Sequence, residues 1–136
     1  MNPSLHSPTI CTRIADIRLE AEGLVLITFT QDAELDEACA IEILSAILTL
    51  TLGKPHCLLY DFNQKSVLLS NIAKRLASRR GPDESKLMGR AFLTYTLQND
   101  LEAGHFIHHA KPVCETQIFR THSAAVDWLK TRLLSR

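Results

Sequence analysis

The sequence predicts an α/β fold: one domain with a mixed sheet of about five strands, opening on a β-hairpin and continuing as alternating helices and strands. Three observations lead there. Two β-type runs near the start are parted by Glu22-Gly23, a strongly helical stretch follows, and beyond it short apolar runs alternate with amphipathic ones. A chain of 136 residues fits one domain by size and can bury about two thirds of its unfolded surface.

Residues 1–12, MNPSLHSPTICT, carry two prolines and no charged stretch followed by an apolar one, so they read as a loose lead-in and not as a secretory signal. The domain is expected over residues 13–136. In "RIADIRLEAEGLVLITFT", Ile14, Asp16 and Arg18 alternate with Ala15, Ile17 and Leu19 before the Glu22-Gly23 break, which is a hairpin signal. "AELDEACAIEILSAILTLTLGKP" is a helix with acids in its first turns and a stop at Gly53 and Pro55. Its second half carries two apolar stripes, Ile41, Leu44 and Leu48 on one and Ile43, Ile47 and Leu50 on the other. A surface helix needs one stripe, so the surplus one is a candidate for burial against another subunit.

His56 to Asp61 has the continuous apolar character of a strand covered on both faces. A polar loop and a basic helix starting near Ser70 follow, ended by Gly81-Pro82. "KLMGRAFLTYT" is a strand, "LQNDLEAGHFIHHAKP" a helix with Gly104 inside it, and "CETQIFR" a short last strand. The closing helix, "THSAAVDWLKTRLL", turns Ala125, Trp128, Leu129 and Leu133 inward.

Charge excludes some functions. Lys and Arg total 15 against 15 Asp and Glu, so the overall basicity of a nucleic-acid binder is missing. The balance is uneven along the chain: residues 13–52 hold eight acids and two bases, residues 65–90 seven bases and two acids. A cationic face is therefore expected near the middle. Cys11, Cys39, Cys57 and Cys114 form no C-x-x-C pair, and two of them sit in apolar stretches, so they are expected as reduced thiols of a cytoplasmic protein. The run from Ile41 to Leu52 is too short and too polar to span a bilayer.

The candidate site is the strand-to-helix gap. Asp61 ends a central strand where α/β sheets open a ligand crevice, or it closes the next loop onto its own backbone. Ser70 is an N-cap or a phosphate acceptor, with Lys65 and Lys74 as neighbours for an added anion. Lys74 and Arg75 open a basic surface that Arg79 and Arg80 extend. His105 and His109 stand one helical turn apart, as zinc ligands can, but the glutamate of an H-E-x-x-H motif is missing and helix-end histidines are the alternative. No G-x-S-x-G, P-loop or G-x-G-x-x-G occurs, so nothing in the sequence supports catalysis or a cofactor.

The strand ending in Asp61, the serine-started helix and the run "IFRTHSAAVDWLK" into the final helix resemble the STAS domain, the anti-sigma-factor-antagonist fold, in its small stand-alone form. The resemblance covers about Arg13 to Lys130. It implies a non-catalytic binding or regulatory module. Such a module is expected to act through a protein partner, and the surplus stripe of the long helix adds the expectation of a self-associating homodimer. The resemblance also implies a phosphorylated serine opening the helix after the central strand, for which Ser70 is the nearest match and Ser66 the second. The family's D-S-[ST]-G pattern is replaced here by "KSVLLSN", without the acid or the glycine. The alternative is a carrier of a small apolar or lipid-like ligand, walled by the doubly apolar helix. A degenerate enzyme using Asp61 or the histidines is a third reading.

Overall fold

The structure, a computed structural model, describes residues 8–69, 86–110 and 114–134. In chain order the strands are β1 (Ile10–Cys11), β2 (Ala15–Ala21), β3 (Leu24–Phe29), β4 (Ala33–Leu35), β5 (His56–Asp61), β6 (Val67–Leu69), β7 (Leu87–Leu93) and β8 (Thr116–Phe119). The helices among the described residues are α1 (Glu37–Thr51), α2 (Leu97–Ala110) and α3 (His122–Leu134).

The main sheet has six strands, in the order β1-β2-β3-β5-β7-β8, where about five were expected. The extra one is β1. Ile10 and Cys11, inside the expected lead-in, pair antiparallel with Ile17 and Asp16. The predicted hairpin is β2–β3, with Ile17 opposite Ile27 and Gly23 at φ +76° in the turn. From β3 onward the pairings are parallel, Ile27 beside Tyr60, Tyr60 beside Phe92 and Phe92 beside Ile118.

Two further segments correct the sequence reading. Ala33–Leu35, expected as the start of the long helix, is a strand, and Val67–Leu69, expected as loop, is its parallel partner. The helix begins only after Asp36, whose carboxylate accepts from the Cys39 N–H at 2.9 Å. It ends at Leu52, which takes the left-handed conformation at φ 54° and donates its N–H to Leu48 O at 2.9 Å, one residue before the expected glycine.

Alternation along the strands builds two cores. One face presents Ile17, Val25, Ile27, Leu58, Phe62 and Phe92 to α1 and α2. Phe62 is fully buried and stacks on Phe29 at 5.7 Å and Phe92 at 5.8 Å, and Phe106 of α2 meets Phe92 edge-on at 5.2 Å. The other face presents Leu24, Leu26, Cys57, Leu59, Ala91 and Leu93 to α3, which inserts Ala125 and Leu129 with Trp128 and Leu133 at its flanks, as its sequence predicts. Gly89 permits this approach: a Cβ there would stand 2.8 Å from Arg132 Cγ. All four cysteines are free thiols.

Candidate functional site

The parallel strands β3, β5, β7 and β8 end together, so their following loops gather at one end of the sheet. Asp61 is the last residue of β5. Its Oδ1 accepts from the Asn63 N–H at 2.8 Å, so the carboxylate does close the loop onto its own backbone. Asn63 and Gln64 both have positive φ, and Asn63 also donates from Nδ2 to Phe29 O at 3.1 Å. Burial first, and then the nearby Asp61 carboxylate, push the Tyr95 hydroxyl up to about 12.

Lys65 and Ser66 lie on the same loop. Lys65 donates its N–H to Phe62 O at 2.8 Å, and its own carbonyl accepts from Asn99 Nδ2 at 2.9 Å. Ser66 is exposed, and its N–H donates to Asp32 Oδ1 at 2.7 Å. A phosphoryl group on Ser66 would stand near that carboxylate, which like charge disfavours. Ser70, Lys74 and Arg75 lie outside the described residues, as do Arg79 and Arg80. The structure thus brings Asp61, Lys65 and Ser66 together on one short loop.

Several residues that the sequence reading passed over brace this end. Asn99, 1% exposed, accepts from the Tyr95 N–H at 3.0 Å while donating to Lys65 O, and so ties α2 to the loop after β5. Asp100 accepts from Thr94 Oγ1 at 2.6 Å and pairs with Arg120 at 2.6 Å, joining the ends of β7 and β8. Each carboxylate here is engaged by a neighbour, which gives a rigid rim. Deeper in, Arg90 is buried on β7 and lies 5.2 Å from the Phe106 ring centre, and burial pushes the neighbouring Tyr60 hydroxyl up. No sequence signal separates this arginine from those on the surface.

His105 and His108 are exposed on α2. Among the described residues no group of three His, Cys, Asp or Glu side chains is placed to hold a metal, and no helix is long and apolar enough to cross a membrane.

The second surface of interest is α1. Ile43 and Ile47 are buried in the larger core, whereas Ile41, Leu44 and Leu48 are 51%, 43% and 47% exposed, and Leu52 is 75% exposed. The surplus stripe points outward, away from the sheet.

Fold and site together define a small α/β module, a mixed sheet layered by helices, with a braced polar rim and an apolar helical face turned outward. The chain belongs to the family described as a domain of unknown function, DUF7793, whose model matches residues 17–133. No curated protein and no solved structure matches it.

Proposed function

We propose that the protein is a non-catalytic, STAS-like binding and regulatory module of the cytoplasm, acting through protein–protein contacts. The observation that carries this reading is the outward stripe of α1: exposed apolar side chains along a helix are what a protein partner covers. A carrier of a lipid-like ligand would turn such a stripe inward around a cavity. The order of a hairpin, then parallel strands with helices between them, also supports the STAS-like reading. The loop holding Asp61, Lys65 and Ser66 is the second surface proposed for contact, presenting a fixed shape.

Native mass spectrometry of untagged protein from its own host tests the proposal. An assembly without added organic mass is the expected result. A monomer carrying a stoichiometric small organic molecule would overturn it in favour of the carrier.

A further inference from the structure

We infer that the exposed face of α1 is a two-fold interface, on which a second copy of this chain lays its own α1 antiparallel to the first. The inference rests on the reading of the chain as an interaction module and names the partner of that surface. Ile41, Leu44, Leu48 and Leu52 recur at intervals of three and four residues, the seam along which two helices interlock.

Charge selects the orientation. Glu37 is exposed at the start of the seam and Lys54 is exposed just past its end. In an antiparallel pair one register sets Leu44 against Leu48 of the other copy, Ile41 against Leu52 and Glu37 against Lys54, all twice over by symmetry. A parallel pair would set Glu37 on Glu37 and Lys54 on Lys54. Antiparallel helix dipoles favour the same choice, since each positive end then lies beside a negative one. Exposed Ser45 falls near the two-fold axis, where a small side chain lets the helices approach.

Leu52 supplies an independent argument. It holds a left-handed backbone that favours glycine, and it holds it with its side chain in water. A seam that ends on Leu52 gives that side chain a use. A stable pair hides roughly 800 Å² on each partner, and the four apolar residues provide the dry centre of such a surface with Glu37 and Lys54 on its rim.

Sedimentation of the full chain under reducing conditions tests this. The wild type should be a dimer, and Leu48→Glu a monomer with unchanged circular dichroism. Glu37→Lys and Lys54→Glu should each weaken the dimer by about tenfold, and an equimolar mixture of the two should recover it, because only the mixed pair restores both contacts. A wild type that stays monomeric at millimolar concentration overturns the inference. So does a dimer that survives Leu48→Glu, or a mixture that fails to recover. A surviving dimer would leave the module reading standing with a different face in use, whereas a monomer bearing an organic ligand would end both.

Discussion

Asn99 uses both ends of its amide, accepting from the Tyr95 N–H and donating to the Lys65 carbonyl. Replacing it by alanine leaves the Tyr95 N–H and the Lys65 carbonyl without their partners, so Asn99→Ala is expected to cost about 1–3 kcal/mol in denaturant unfolding. Asp36 makes a prediction in pH. The Cys39 N–H at the head of α1 holds its carboxyl below the ordinary 3.8. A carboxyl lowered on folding contributes stability that is complete above its unfolded value and lost as pH falls through the folded one. Thermal melts should therefore drop as pH falls below about 4, and Asp36→Asn, which keeps an acceptor, should remove that part of the acid sensitivity. At Ser66 the charge argument runs the other way from the one the sequence suggests. Ser66→Glu is expected to lower the melting temperature by loosening the bond to Asp32, and a variant more stable than wild type would show that the loop welcomes an anion.

At the scale of elements, the tightest approach is between β7 and α3. Gly89→Val would drive a branched side chain into Arg132 and is expected to cost about 1–3 kcal/mol, read by chemical denaturation. The long elements were legible because their periods are long enough to count. The hairpin, α1 and α3 show several apolar residues at two- or near-four-residue spacing, and β5 and β7 show as apolar runs of strand length. β4 and β6 were not, because three residues cannot declare a period, and their pairing joins Ala33 to Val67 across a long stretch of chain. The start of α1 was displaced for the same reason: acids suit both a first helical turn and the segment before a cap. Asp61 could be read from its own loop, since its partner is two residues away. Asn99, Asp100 and Arg120 could not, because what defines them is a partner brought near only by the sheet.

Across the described residues the six-stranded sheet serves two cores of unequal size, and the larger is organised around an aromatic row. Phe62→Ala removes its central member and is expected to cost about 3–5 kcal/mol. Leu129→Ala on the opposite face should cost about 2–5 kcal/mol. If the sheet couples the two layers, each variant unfolds in a single transition by every probe, and non-coincident transitions would show the layers parting separately.

Two of the four thiols, Cys39 and Cys57, give each layer its own clock. Cys11 is exposed, although the Asp16 carboxylate pushes its thiol up, and is expected to be modified first, whereas Cys39 is shielded by the packing of α1. Cys57 lies under α3, donates its S–H to the Leu129 carbonyl at 3.5 Å and is pushed up to about 12 by burial. Modification of Cys39 thus times the lifting of α1, and modification of Cys57 times the departure of α3. The order in which the native chain opens is readable by mass from its own thiols, without a single introduced cysteine.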